Sequence, residues 1–316
     1  MYTYWKNHPA VFMTFTGRYI RVLVGGRKNR YSKFIQEVIV DPNNNELFLE
    51  QVKQLVRKHK LTGLPVFFSY GNHEVLLRST TIPLHIPRDE WKGYLYMELG
   101  ESFHLPFQEP IIELVGDRQI DGRQEVTALA VPESDVERIE RILKSAKLDP
   151  VVIDLPFLSL YRFFGEHFSI SGRAHVILLQ VELDYVQISL FNGHKPLYVR
   201  SLALPKLQDF KMFETRTGYE YIEIEEDSVE LDEHFSLIQN EINRLRTFYQ
   251  FNLQGGAKEI DTLCFSGDHP LLEKLIATYK EFEQMNVYHS NEELLLTKHE
   301  VGIPPSFTEL IGLSWK

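Results

Sequence analysis

Gly25-Gly26-Arg27-Lys28-Asn29-Arg30 sets two glycines before a run of cations, the composition of a loop that grips a phosphate. The spacing does not suit that chemistry, because Gly-x4-Gly-Lys-[Ser/Thr] is absent, and the segment reads as a solvated basic turn. His73-Glu74 and His299-Glu300 each join a metal ligand to a base, yet neither has the second His four residues on that a helical zinc site requires. The acidic segment 220–233 lacks the Asp-x-Asp-x-Asp-Gly order of a calcium loop and reads as a solvated face leading to a helix that starts at Asp232. No Gly-x-Ser-x-Gly elbow presents a serine. Cys264, the sole cysteine, sits between Leu263 and Phe265 and is expected to be a buried, inert thiol; alone it allows neither an internal disulfide nor a paired-cysteine zinc or redox site. These patterns nominate no catalytic residue and no metal. Trp91, Tyr94, Tyr96, Phe103 and Phe107 gather on and after one helical segment. They fill the core of a small subdomain or, at Trp91 and Tyr94 with their charged neighbours, face a partner.

The elements that carry these residues follow from hydrophobic spacing. Strands are predicted at 11–16, 19–24 and 34–40, then a helix with Leu47, Val52, Leu55 and Val56 on one side, then a strand at 64–68. A turn near 71–72 leads to strands over 75–77 and 81–83. Pro87-Arg88-Asp89-Glu90 opens a helix that is expected to run toward Phe103. Strands at 111–115 and 125–131 precede a helix over 132–146, with Val136, Ile139 and Leu143 on one face. After a strand at 151–153 and a helix at 157–164 the first order returns: strands at 176–181, 186–191 and 197–202, a helix over 232–251, a strand at 261–265 and a helix at 270–279. Both halves read strand, strand, strand, helix, strand. The fold class expected is α/β, a duplicated ribonuclease-H-like, actin-like architecture with a small inserted α+β subdomain. It divides into 1–79, the insertion 80–150, and 151–316, with the cleft between halves as the ligand position.

Charge limits the partners. With 34 Lys+Arg against 44 Asp+Glu the chain carries −10 at pH 7, which argues against a general nucleic-acid clamp. A composition of 43% hydrophobic and 25% charged residues is that of a globular protein. The first nine residues contain no secretory pattern, and no apolar run approaches the ~18–20 residues of a membrane helix. A cytoplasmic protein is expected.

Several segments together resemble the type IV pilus assembly protein family PilM, actin-like relatives of the division protein FtsA. Tyr70-Gly71-Asn72-His73-Glu74 through Pro83 is similar to the family's entry into its inserted subdomain. Pro87-Arg88-Asp89-Glu90-Trp91 through Leu105-Pro106-Phe107 resembles its acidic helix and Leu-Pro-Phe step, and Ala130-Val131-Pro132 with Lys147-Leu148-Asp149-Pro150 resembles its close. Asn192-Gly193-His194-Lys195-Pro196, Glu241-Ile242-Asn243-Arg244 and Ile311-Gly312-Leu313 are similar to the hairpin, long helix and terminal segment of the second half.

Where the resemblance departs from actin-like ATPases is in the nucleotide loops. Two strand-turn-strand loops of the type Asp-x-Gly hold phosphates in such proteins, the Asp on Mg²⁺ or its water and the Gly admitting backbone N–H groups. Thr14 and Thr16 stand at those places in the first loop, Gln180 and Glu182 in the second. Ser266-Gly267-Asp268 retains part of the adenosine-side loop and is the one residual cofactor-binding candidate. The resemblance therefore implies a degenerate nucleotide site, with no hydrolysis and ATP/Mg binding weaker than about 1 mM. It also implies a non-catalytic scaffold, a pseudo-ATPase at the inner face of the cell membrane in a type IV pilus or competence-pseudopilus machine. Its expected partners are PilN-like and PilO-like inner-membrane proteins and a motor ATPase, with Trp91 and Tyr94 facing the PilN-like tail. Two alternatives stand beside it: an active actin-like ATP-binding protein with non-standard loops, and an FtsA-like division protein, the latter disfavoured by a terminal segment 306–316 too short for an amphipathic anchor.

Overall fold

β1 (Ala10–Phe15) is apolar at nearly every position and buried, as befits a strand covered on both faces. It pairs antiparallel with β2 (Tyr19–Gly26), which pairs with β3 (Arg30–Val38). The chain then forms α1 (Asn45–Lys58), whose first turn is closed by Asn44 accepting from the amides of Glu46 and Leu47. α1 buries Phe48, Val52, Leu55 and Val56 and returns the chain to β4 (Pro65–Ser69), parallel to β1. These coordinates are a computed structural model that describes residues 9–26, 30–41, 44–71, 75–206, 211–214, 220–223, 229–253, 259–282, 285–291, 297 and 302–316. Residues 27–29, His73-Glu74, His299-Glu300 and residues 224–228 lie outside the described residues.

β5 (Leu76–Pro83), α2 (Trp91–Met97), β6 (Pro110–Ile120) and β7 (Arg123–Pro132) form an inserted unit, a three-stranded sheet in the order β5-β7-β6 with its own core. α2 stops at Met97, well short of Phe103. Gly100 takes a positive φ of 84°, and the amides of Ser102 and Phe103 return to the Glu98 carbonyl, which turns Phe103 into the insert's core. α3 (Glu133–Ser145) packs against α1 and sends Ile139 and Leu143 into the core of the first half, so within 80–150 the separate core belongs to β5 through β7. β8 (Asp149–Asp154) then completes a sheet of order β3-β2-β1-β4-β8.

α4 (Pro156–His167) leads into the second half: β9 (His175–Val181), β10 (Tyr185–Asn192), β11 (Lys195–Ala203), the pair β12 (Lys211–Glu214) and β13 (Glu220–Glu223), α5 (Val229–Phe248), β14 (Thr262–Gly267), α6 (Leu272–Phe282) and β15 (Asn286–His289). Its main sheet runs β11-β10-β9-β14-β15, the same order of pairings as the first. β15 and the terminal helix α7 (Thr308–Ser314) are not anticipated by the hydrophobic pattern. α4 and α7 pack on each other, α7 against β1, β2 and β4 and α4 against β9, so this helical pair separates the two sheets. Successive β9 residues divide by face: Val176 and Leu178 join the core shared with the first half, whereas Ile177, Leu179 and Val181 pack under α5 and α6. Cys264 is fully buried in the shared core.

Candidate functional site

Strand register collects the polar residues of the first half into one row. Gln36 lies opposite Arg21, Arg21 opposite Thr14, Thr14 opposite Ser69, and Ser69 opposite Asp154, so five strands each place a polar side chain on one line across the sheet. The second sheet repeats the device with Ser201, Gln187, Gln180 and Ser266. Thr14 on β1 thus corresponds to Gln180 on β9, and the turns that follow match, because Thr16 N–H donates to Tyr19 O as Glu182 N–H donates to Tyr185 O. All of these residues except Ser201 are buried. Apolar strands tolerate buried polar groups only when partners meet them.

Arg21 is the principal partner. Its guanidinium, 0% exposed, crosses from β2 of the first half to the second, where Nη1 and Nη2 donate to Glu182 at 2.9 and 2.7 Å and Nη2 also donates to Asp268 at 2.6 Å. Nε donates to Gln36 at 2.7 Å, which fixes the plane of the fork. Gln180 Nε2 donates to Glu182 and to Glu309 of α7 at 3.1 and 2.8 Å, so the terminal helix is tied into the same cluster. Two buried carboxyls, Glu182 and Asp268, share the guanidinium, and a third, Glu309, joins them through Gln180. Burial pushes the Glu182 carboxyl up, but the adjacent Arg21 charge and hydrogen bonds outweigh it and hold the group below its ordinary range. Burial and then the Glu182 charge push Asp268 up to about 8, and burial raises Glu309. Of the two acids on the guanidinium, Glu182 is thus pushed toward its charged form and Asp268 toward its protonated one.

The two turns expected from the resemblance to be phosphate loops have hydrogen-bonding groups met within the chain. The Thr16 hydroxyl accepts from the amides of Arg18 and Tyr19 at 3.3 and 2.8 Å. In the second half, the amides of Asp268 and His269 donate to Val181 O at 3.2 and 3.3 Å. Gly267, at φ 127°, lies so near that a Cβ there would meet Val181 O at 1.9 Å. Ser266 donates to Pro305 O at 3.3 Å. The geometry is that of an ion-paired, hydrogen-bonded seam between the two halves.

Glu182 and Asp268 meet on Arg21, with Gln180 bonded to Glu182, whereas Thr14 and Thr16 bond within the first half and Trp91 and Tyr94 lie in the insert. Trp91 corrects the expectation of an accessible aromatic: it is 9% exposed in the insert's core, its indole N–H donates to Ile86 O at 3.1 Å, and Arg88 lies over its ring. Tyr94 packs half-buried on the same core. Sequence reasoning passes over Arg21, Gln36 and Glu309. The signal for Arg21 is a charge inside the apolar run Tyr19-Ile20-Arg21-Val22-Leu23, a position that needs a buried counter-charge. Among the described residues no group of His, Cys, Asp and Glu side chains is arranged to hold a metal, and no helix is long and apolar enough to cross a membrane.

A solved PilM-PilN type IV pilus biogenesis complex contains a chain that superposes on this one with a TM-score of 0.71 over 96% of this chain and 97% of that one, at 16% identity. The chain has the actin-like ATPase fold, in the form seen in PilM. The cytoplasmic domain of EpsL, an inner membrane component of the type II secretion system of Vibrio cholerae, shares this actin-like fold at a TM-score of 0.51 and 11% identity, over 91% and 93% of the two chains. MreB5 of Spiroplasma citri bound to ADP does so at 0.50 and 10%, over 97% and 95%. No family model and no curated protein matches the sequence.

Proposed function

We propose that this chain is a non-catalytic, actin-like scaffold of a type IV pilus or related secretion machine, working at the cytoplasmic face of the inner membrane. The observation that carries the reading is the Arg21–Glu182–Asp268 bridge. It holds the two halves together with the protein's own charges where an actin-like ATPase uses nucleotide and Mg²⁺. Admission of ATP would require a phosphate to sit against Glu182, Asp268 and Glu309 and would break a fully buried guanidinium pair. Similarity to the PilM chain of a PilM-PilN complex supports the cytoplasmic tail of a PilN-like membrane protein as the partner. In this reading PilO-like proteins and a motor ATPase complete the assembly, and the chain reaches the membrane through these partners.

Titration with Mg-ATP in a calorimeter, with phosphate release assayed on the same sample, tests the reading. The expected result is no binding heat up to about 1 mM and no turnover. Micromolar binding with hydrolysis would overturn it and favour an active ATPase on the retained Ser266-Gly267-Asp268 turn. A synthetic PilN-like tail peptide is expected to bind the same sample.

A further inference from the structure

The end of the first half that lies away from the cleft has a different character. α1 and α3 finish side by side there, linked by the Gly63 amide donating to Lys147 O at 2.8 Å. Both helices close in the same way. The amides of Leu61 and Leu148 reach back to Val56 O and Leu143 O, and the residue before each leucine takes the left-handed conformation that such a cap requires. Glycine normally serves at that position because a Cβ is strained in it. Here it is lysine both times, Lys60 at φ 59° and Lys147 at φ 62°. Both side chains are exposed and neither makes an ion pair with a described residue.

Four more cations surround them: Lys33 of β3, whose ammonium donates to His59 O at 2.7 Å, Arg57 and Lys58 of α1, and Lys144 of α3. The acids at this end are Glu50, paired with Arg57, Glu37, paired with Lys58, Glu140, paired with Lys144, and the exposed Asp149. The remaining positive field is felt locally. Burial and then the neighbouring Lys60 charge hold Lys33 below its ordinary range, and burial with Lys33 and Lys58 does the same to His59 despite Glu37. Cations in a helix's last turn complement its dipole, which accounts for Arg57, Lys58 and Lys144. That account does not reach the two left-handed lysines, where glycine would close the cap with less strain.

We propose that, besides the contact made through protein partners, this basic pole docks directly on an anionic phospholipid surface, with Lys60 and Lys147 as its principal contacts. Lysine outnumbers arginine in it, which suits a diffuse sheet of headgroup charge over bidentate recognition of one carboxylate or phosphate. Arg57, Lys58 and Lys144 are 67, 68 and 61% exposed, so the pole projects and does not enclose a peptide. The chain's net charge of −10 does not forbid this end from approaching such a surface, because charges beyond a Debye length of about 8 Å are screened. β4 runs from the pole at Pro65 to the cleft at Ser69, about 13 Å at ~3.3 Å per residue, so docking leaves the cleft and its bridge untouched.

The test is co-sedimentation of the full chain with phosphatidylglycerol/phosphatidylcholine vesicles and with phosphatidylcholine alone, beside the double variant Lys60→Gly/Lys147→Gly. The wild type is expected to bind the anionic vesicles only, and to release in 0.5 M salt, where ~4 Å screening removes the attraction. The double variant is expected to bind about 30-fold more weakly, equivalent to about 2 kcal/mol, while its Tm rises by about 2 °C as the left-handed strain is removed. Equal binding of both vesicle types, or of both proteins to anionic vesicles, overturns the proposal. A fall in Tm also overturns it, since the lysines would then serve the caps. Binding of soluble polyglutamate without vesicle binding overturns it in favour of an acidic protein partner. No protein partner is present in these assays, so their failure leaves the scaffold reading intact.

Discussion

Arg21 shows how one charge in an apolar strand obliges the rest of a site to form. With no exposed surface to solvate it, the guanidinium depends on Glu182 and Asp268, which arrive from the other half. Removing it leaves two buried acids without their cation. Arg21→Met is expected to cost about 3–5 kcal/mol in urea unfolding, and adding Glu182→Gln and Asp268→Asn should return most of that loss. Asp268 also ties stability to pH. Its folded value of about 8 lies above its ordinary 3.8, so the folded chain retains a proton that the unfolded chain releases. The contribution is complete below about pH 4 and is lost as pH rises through 8. Asp268→Asn should remove that decline, as measured by unfolding midpoints across the interval. On the acid side His234 and His269 act in the opposite sense. They are buried neutral, with Pro205 O accepting from His234 and His269 donating to His234 Nδ1, and burial lowers both, His269 to about 3. Their contribution fades as pH falls below the ordinary histidine value near 6.5.

The elements differ in how plainly the sequence announced them. The strands of both halves and the helices α1, α3 and α5 are legible, because each pairs an apolar stripe or run with a charged face or a turn. The duplicated order is legible for the same reason. α7 is not, since all seven of its residues are buried and a helix without a polar face has no period to read. β15 has four residues at a sheet edge and offers no more signal. The bridge depends on register between strands far apart in sequence: Thr14 and Gln180 can be aligned by type, whereas the approach of Arg21 to Glu182 requires the two halves to be folded together. α7 meets α4 so closely that a Cβ on Gly312 would lie 1.9 Å from Ser159 O. Gly312→Ala should therefore cost about 2–3 kcal/mol by pushing the helices apart, and circular dichroism melts will show it as a lowered Tm.

Across the whole molecule the two sheets share one core, and the helical pair between them belongs to both. The duplicated halves are thus mechanically one body, clamped at the seam by Arg21 and filled behind it by α4 and α7. The basic pole and the cleft stand at opposite ends of β4, so contact at one leaves the other free. The buried sulfur of Cys264 follows from the same architecture. It is the sole thiol, burial raises it well above its ordinary range, and it sits inside the layer that parts when the halves separate. An alkylating reagent can reach it only during such an opening. Maleimide incorporation, followed by mass spectrometry, should be negligible over hours in the wild type and faster in Arg21→Met, with equal rates arguing against the bridge as the latch. The chain carries, in a single sulfur atom, its own clock for how often the sandwich breathes.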